Sequence, residues 1–250
     1  MFGSLRKLAR RRRARKPFPE AWLPHVERRV PFFREFEGPL RQRFLDDLKV
    51  FAWEKDFIGA GGLEIDDEIR AVVSAAAVRL VLHLDLSYYD RLREIIVYPE
   101  AFRRPGEEEW ILGEAHTWGT VVLAWKSVWL GLANEKDGHD TATHEFAHVL
   151  DRAGGAFDGT PELRAHAHYR PWAQVMSRNY LALRRGGRRA RKVLRSYAAT
   201  NEAEFFAVAT EAFFEKPDQM RKHTPELYAE LQRFYRWNPV DDREPTRSRS

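Results

Sequence analysis

Apolar residues recur along most of the chain with the spacing of helices. Between Leu40 and Phe57 they fall at helical intervals, and the small residues 59–62 then end the pattern. A second helix is predicted from Asp66 to about Leu84, because acids in its first turn suit the helix dipole. This second helix is apolar on nearly all sides, so we expect it to lie at the centre of the fold.

The rest of the pattern indicates two short strands and four more helices. The apolar runs Glu94–Tyr98 and Thr120–Trp125 are bounded by proline and glycine, which is typical of strands. The further helices are predicted over Thr141–Arg152, Pro161–Leu183, Asn201–Phe214 and Pro225–Tyr235. With no internal repeat, this pattern predicts one α+β domain that is mainly helical and contains a small sheet.

Composition at the two ends sets the expected boundaries of that domain. The first 16 residues contain eight basic residues and no acid, and such dense like charge is typical of a disordered segment. The last residues are rich in proline, arginine and serine. We therefore expect a basic, disordered arm over residues 1–19, a single domain over residues 20–238, and a loose tail over residues 239–250.

The composition also narrows the chemistry and the partners. The chain of 250 residues has no cysteine, which excludes disulfides, thiolate catalysis and Cys-based zinc sites, so a metal must be held by His, Asp or Glu. The formal net charge is +5, but it comes from two basic runs, residues 6–16 and 184–195, and the remainder is acidic. The second run has no aromatic residue for stacking on bases. Nucleic acid is therefore not an expected partner.

The apolar segments of the chain indicate in which cellular compartment the protein is expected. The basic start is not followed by the apolar stretch of a signal peptide. The longest apolar run, Ala71–Leu86, contains charged residues and is too short to span a bilayer. We expect a cytoplasmic protein without a transmembrane segment.

One pentapeptide has the spacing of a metal site, His144-Glu145-Phe146-Ala147-His148. On a helix the two histidines share a face and can bind one cation, and Glu145 is close enough to reach a water on it. Zinc with two His ligands and one Glu ligand keeps a fourth position open for that water. Asp151 lies near the same face of this helix. Three roles stay open for it: a metal ligand, a hydrogen-bond acceptor for a ligand histidine, or a salt-bridge partner at the end of the helix.

A third ligand has to come from elsewhere, and residues 197–207 are the best segment. Asn201 and Glu204 also fit a capping box, in which Glu204 would do no more than cap a helix. Spacing alone does not choose among the carboxylates of this predicted helix. The competing residues are Glu202, Glu211 and Glu215.

Two blocks of sequence resemble a known family. His144–Asp151 (HEFAHVLD) and Tyr197–Phe214 (YAATNEAEFFAVATEAFF) look like the Mlc titration factor A family of zinc metallopeptidases. The same blocks are similar to the catalytic domain of anthrax lethal factor, whose third ligand is the Glu of the A-E-F-F stretch. Weaker similarity extends over roughly residues 30–240.

The resemblance implies a zincin-like (gluzincin-type) metallopeptidase domain with one zinc ion per chain. Carried over residue by residue, it implies the zinc ligands His144, His148 and Glu204, with Glu145 as general base and Tyr197 near the reacting carbonyl. In thermolysin-type peptidases the ligand Glu directly follows Asn, which here would select Glu202. An additional inhibitory His ligand has no match in register, since His116 is the one histidine in the expected region.

These residues predict a zinc-dependent peptidase acting on a peptide or protein substrate. A zinc-activated water would attack the peptide bond, with Glu145 as general base and Tyr197 donating to the oxyanion. Whether cleavage is internal or aminopeptidase-like stays open. The resemblance also implies an alternative, a regulatory protein-binding module with a transcriptional repressor as its partner, in which the zinc site is not the main activity.

Overall fold

The computed structural model of the chain has the mainly helical α+β architecture that the sequence predicts. It describes residues 2–103, 110–116 and 119–241, with side chains from residue 5 onward. The chain divides into two compact units, residues 1–133 and 134–250. Within the described ranges, none of the helices has both the length and the apolar character that crossing a membrane requires. The predicted domain bounds, residues 20–238, stay a prediction.

The first unit contains five helices and four strands among its described residues. The helices are α1 (Phe2–Ala14), α2 (Leu23–Arg29), α3 (Gly38–Glu54), α4 (Asp67–Val81) and α5 (Trp125–Ala133). The strands are β1 (Asp56–Gly59), β2 (Glu94–Tyr98), β3 (Gly113–His116) and β4 (Thr120–Ala124). The predicted strand Thr120–Trp125 therefore ends one residue early, because Trp125 begins α5.

The four strands form one sheet in the order β1-β2-β4-β3. β2 lies parallel to β1 and to β4, and its Ile95 pairs in register with Val121, while β3 is antiparallel to β4. The inner strands β2 and β4 are those that the sequence predicts, since their buried apolar residues produce a readable pattern. The outer strands were not predicted, because the side chains of β1 and β3 are half-buried or exposed.

The helix α4 is buried on nearly all sides, as its sequence predicts. Asp66 caps it by accepting a hydrogen bond from the backbone N–H of Ile69 at 2.8 Å, which satisfies one of the free donors of the first turn. α3 packs along α4, and Phe44 and Phe51 of α3 are fully buried. The core of the first unit therefore lies along these two helices.

The structure differs from the sequence-based expectation at the N-terminus, where α1 forms in place of a disordered arm. Arg10 is buried and donates two hydrogen bonds to Glu54 Oε2, at 2.8 and 3.0 Å, and another to Asp90 Oδ1 at 2.8 Å. Arg6 pairs with Asp90 and Arg13 with Glu54. These acids lie 41 to 84 residues away along the chain, so the local charge pattern gave no sign of them.

All the regular elements among the described residues of the second unit are helices. Its helices are α6 (Thr141–Ala153), α7 (Tyr169–Arg184), α8 (Glu202–Glu215), α9 (Pro217–His223) and α10 (Pro225–Tyr235). α6 packs along α8, and aromatic rings fill the space between α7, α8 and α10, with Trp172 and Phe206 5.8 Å apart and Phe206 and Phe234 6.1 Å apart. These contacts make α8 the central helix of the unit.

In the second unit one predicted helix has to be corrected, and most of the predicted C-terminal tail lies outside the described residues. The predicted helix Pro161–Leu183 begins only at Tyr169, because residues 160–165 are irregular and a short 3₁₀ turn, His166–His168, precedes it. Of the predicted loose tail, residues 242–250 lie outside the described part of the chain.

The docking of α1 can be tested through Arg10. Replacing Arg10 by Ala removes the guanidinium group that donates two hydrogen bonds to Glu54. Removing one member of a buried ion pair lowers the free energy of unfolding, here of the docked helix, by about 3 kcal/mol. We expect the amides of residues 5–14 to exchange hydrogen about 100-fold faster, with α3 and α4 unchanged. Hydrogen exchange measured by mass spectrometry checks this. The matched control is Arg11→Ala on the exposed side of α1, and equal exchange in the two variants would contradict the ion-pair account.

Candidate metal centre

Helix α6 places two histidines side by side in the interior of the second unit. Asp140 caps the helix by accepting hydrogen bonds from the backbone N–H and the hydroxyl of Thr143, at 3.0 and 2.7 Å. The buried apolar residues of the helix hold it against α8, which leaves His144 and His148 one turn apart on the same face. Their Nε2 atoms are 3.2 Å apart, and the two rings are nearly perpendicular.

A carboxylate from α8 completes a group of three donors. Oε2 of Glu204 lies 2.9 Å from Nε2 of His144 and 3.4 Å from Nε2 of His148. The backbone N–H of Glu204 donates to the side chain of the cap residue Asn201 at 2.9 Å. The capping interaction predicted from the sequence therefore exists, but it uses the backbone of Glu204 and leaves its side chain to the histidines.

The other carboxylates of α8 have different positions. Glu202 is exposed to solvent. Glu215 accepts a hydrogen bond from the backbone N–H of His139 at 3.0 Å. Within the part of the chain that the structure describes, His144, His148 and Glu204 are the group whose donor atoms could together hold a metal ion.

Glu211 lies behind His144, on the side away from Glu204. Its Oε1 is 2.7 Å from Nδ1 of His144, its Oε2 accepts from the backbone N–H of Asp140 at 2.8 Å, and Arg195 donates to Oε1 at 2.6 Å. Glu211 has no exposed surface. A carboxylate on the second ring nitrogen fixes the orientation of a ligand histidine and raises its basicity.

From the sequence, Glu211 is predicted only as a competing metal ligand. Its position behind His144 was not predicted. The signal was present, because Glu204 and Glu211 are two turns apart and thus on the same face of α8. Arg195 was missed as well, since the second basic run was considered only as a possible contact to nucleic acid. Its last arginine instead reaches a fully buried carboxylate.

The electrostatics of this cluster favour positive charge at His144 and disfavour it at His148. Burial by itself would lower the pKa of His144, but hydrogen bonds to Glu204 and Glu211 outweigh burial and raise the pKa to about 10. Burial opposes the ionised form of Glu204 too, yet the two histidines lower its pKa to about 2. Burial, together with the nearby charge of His144, lowers the pKa of His148. Glu204 is therefore ionised at neutral pH, with His144 as its positively charged partner.

The donor set fits a small divalent metal ion. Two imidazole nitrogens bound to one tetrahedral zinc ion at the usual bond length would lie about 3.3 Å apart. The observed separations among the three donor atoms are 2.9, 3.2 and 3.4 Å, close to that value. Because all three atoms converge and a carboxylate supports His144 from behind, these residues could hold the metal with little rearrangement.

Asp151 does not contact the histidines through any hydrogen bond or ion pair that the structure shows. Its Oδ2 accepts from the backbone N–H of Gly159 at 2.9 Å, and burial raises its pKa to about 6. Trp172 also holds this loop, by donating to the carbonyl of Gly159 at 3.1 Å. Asp151 thus positions the loop that follows α6.

Three other residues lie at the same centre. Glu145 is buried and follows His144 on α6. The ring of Tyr197 is 5.9 Å from that of His144, and the ring of Phe157 is 5.0 Å from that of His148. Tyr197 and Phe157 are 50% and 43% exposed, so the centre is flanked by two aromatic side chains that solvent can reach. Phe157 carried no signal in the sequence.

His116, the one histidine considered as an additional ligand, belongs to the first unit. It lies in β3, and its Nδ1 is 3.6 Å from a carboxylate oxygen of Glu114.

Comparison with known proteins gives a family and two groups of relatives. The model of the family described as glucose-regulated metallo-peptidase M90 matches residues 5–236. The protein slr2042 of Synechocystis sp. is 34% identical over 238 residues, 90% of this chain and 86% of the relative. Proteins named Mlc titration factor A from Yersinia pestis and Yersinia pseudotuberculosis are 26% identical over 248 residues, 91% of this chain and 89% of each relative. The matched residues include both α6 and α8.

The choice between the two glutamates at the start of α8 can be tested by metal content. Glu204→Gln removes the carboxylate that faces both histidines, so we expect zinc affinity to fall by more than about 100-fold, beyond the loss typical of residues behind a ligand. The matched variant Glu202→Gln changes an exposed side chain two residues away and should keep one zinc per chain. Competition with a chromophoric chelator measures both, and the reverse result would select Glu202 as the ligand.

A second variant tests the position of Glu211 behind His144. Glu211→Gln keeps an oxygen acceptor but removes the charge, and we expect zinc affinity to fall by about 10–100-fold. Glu215→Gln is the control, because it also neutralises a buried carboxylate of α8 but one that contacts the backbone of His139. Equal affinities in the two variants would show that Glu211 does not support the metal ligand.

Proposed function

The chain belongs to the glucose-regulated metallo-peptidase M90 family, and on that premise we propose that it is a zinc-dependent peptidase of the gluzincin type. The single observation that carries the proposal is the convergence of His144, His148 and Glu204 beside Glu145. Two nitrogens and one carboxylate oxygen form a donor set that suits zinc. As part of the same proposal, the enzyme acts in the cytoplasm on a peptide or protein.

In this proposal three residues hold the metal and two support them. His144, His148 and Glu204 provide the three protein ligands, and Glu211 fixes the ring of His144 through Nδ1. Arg195 offsets the charge of Glu211, which would otherwise be a costly buried anion. When bound, zinc supplies Lewis acidity, which polarises a carbonyl group and makes water a better nucleophile near neutral pH.

The proton transfers are assigned to Glu145. Its carboxylate takes a proton from the attacking water and then gives it to the nitrogen of the departing amine. This assignment is supported by its place next to His144 on α6 and by its burial, which limits competition from bulk water. Glu145 is too close in sequence to His144 to share the face of the two ligands, so it is suited to act on the water and not to bind the metal.

Tyr197 is assigned to the carbonyl oxygen of the substrate. Its ring lies next to His144, and half of its surface is exposed, so a bound peptide can reach it. The hydroxyl donates a hydrogen bond to the oxygen as negative charge develops there. With Phe157 beside His148, the substrate would lie between two aromatic side chains.

A second candidate function is regulatory. The name of the Yersinia relatives, Mlc titration factor A, describes the titration of a factor called Mlc. Carried over to this chain, it corresponds to a protein–protein contact with a transcriptional repressor, in which peptide hydrolysis is not the main activity.

Cleavage of a peptide library by the zinc-loaded protein tests the proposed activity. We expect Glu145→Gln to keep its zinc and its thermal midpoint but to lose about 10²–10⁴-fold in kcat, because the proton acceptor is gone. Glu202→Gln, on the exposed side of α8, should retain full activity. The library contains each peptide with a free and with a blocked amino end, so products from both would indicate internal cleavage and products from free ends alone an aminopeptidase.

Two outcomes would contradict the proposal. Full hydrolysis by Glu145→Gln would remove this residue from the mechanism. Absence of cleavage throughout the library, together with chelator-insensitive binding of a transcriptional repressor, would favour the regulatory function.

A further inference from the structure

Helix α1 turns two leucines towards solvent. Leu5 and Leu8 are 63% and 65% exposed, and they lie one turn apart on the same side of the helix. An ordinary surface helix places its apolar residues inward and its charged residues outward. In α1 the arrangement is inverted, because the inward side is formed by arginines.

The inward arginines explain why the leucines face outward. Arg6, Arg10 and Arg13 are spaced by four and three residues and therefore share one side of α1. Arg10 and Arg13 pair with Glu54, and Arg6 and Arg10 pair with Asp90. Since these ion pairs fix the rotation of the helix, Leu8 is held on the opposite side. Leu5 lies at the rim, where it borders an open pocket together with Trp53 and is still mostly exposed.

The outward side of α1 is also strongly basic. Arg12 lies on the same side as the two leucines, Arg11 lies next to Leu8, and Lys7 lies further round the helix, towards Arg10. These three basic side chains are exposed, and the helix contains no acidic residue. The exposed surface therefore combines two apolar side chains with several positive charges.

We propose that the outward side of α1 binds the surface of a bilayer that contains anionic lipids. In this arrangement Leu5 and Leu8 enter the boundary between headgroups and acyl chains, while Lys7, Arg11 and Arg12 lie at the level of the lipid phosphates. Charge complementarity selects an anionic surface, and the two leucines favour a bilayer over nucleic acid. Nucleic-acid phosphates would attract the basic residues but would leave both leucines in water.

The binding is expected to be weak and reversible. Two leucines and a few basic residues give much less attachment than a membrane-spanning helix, and neither contribution is sufficient by itself. A peripheral contact of this kind would hold the protein at a membrane surface without inserting any other helix. It is independent of the metal centre, which lies in the other unit.

Vesicle flotation with the full chain tests the proposal. Wild type should float with vesicles of phosphatidylcholine containing about 30 mol% phosphatidylglycerol but not with phosphatidylcholine alone. The double variant Leu5→Ser/Leu8→Ser should lower the bound fraction by about tenfold, and so should the triple variant Lys7→Gln/Arg11→Gln/Arg12→Gln. All of these residues are exposed, and circular dichroism and the thermal midpoint confirm that each variant is folded.

The matched control is Leu130→Ser/Leu181→Ser, which removes two leucines that are 51% and 42% exposed outside α1. It should float like the wild type. The proposal is overturned if the Leu5/Leu8 variant floats like this control, or if wild type does not bind the anionic vesicles. Binding to duplex DNA that is insensitive to the leucine changes, without vesicle binding, would assign the basic side to nucleic acid instead.

Discussion

One imidazole held from both sides by carboxylates organises the second unit. His144 of α6 contacts Glu204 through one ring nitrogen and Glu211 through the other, and both glutamates come from α8. These contacts join the two helices that supply the three donor groups of the metal centre. Because Glu211 is fully buried, its charge needs compensation, and Arg195 and the backbone of Asp140 supply it. Any change in the packing of α6 on α8 would therefore change the geometry of the donor atoms.

The same physical rule, that a buried charge must be paired, explains the N-terminus. An isolated helix with so many basic residues would remain solvated, but Glu54 and Asp90 offer acids at the surface of α3 and the adjacent turn. Arg10 pairs with both acids at once, and this contact buries its side chain. The result is a helix fixed by its charges, whose two leucines stay exposed to solvent.

Family membership and the geometry of the centre support each other without depending on the same observation. The family model covers nearly the whole chain and does not by itself choose a ligand. The distances from Glu204 to the two histidines choose a carboxylate and do not by themselves indicate a reaction. The aromatic rings of Tyr197 and Phe157 on either side of the histidines agree with a site that accepts an extended substrate.

The sequence by itself determined the helices with strong periodicity, the two inner strands and the face shared by His144 and His148, since these follow from spacing within a few residues. It left the choice between Glu202 and Glu204 to a resemblance, because a helix cap and a metal ligand have the same local signature. Only the tertiary structure decided which carboxylate faces the histidines, that Glu211 lies behind His144, and that the basic N-terminus is a docked helix. In each case the partners are tens of residues apart, and local spacing shows which side chains share a face of a helix but not which groups the packing brings against them.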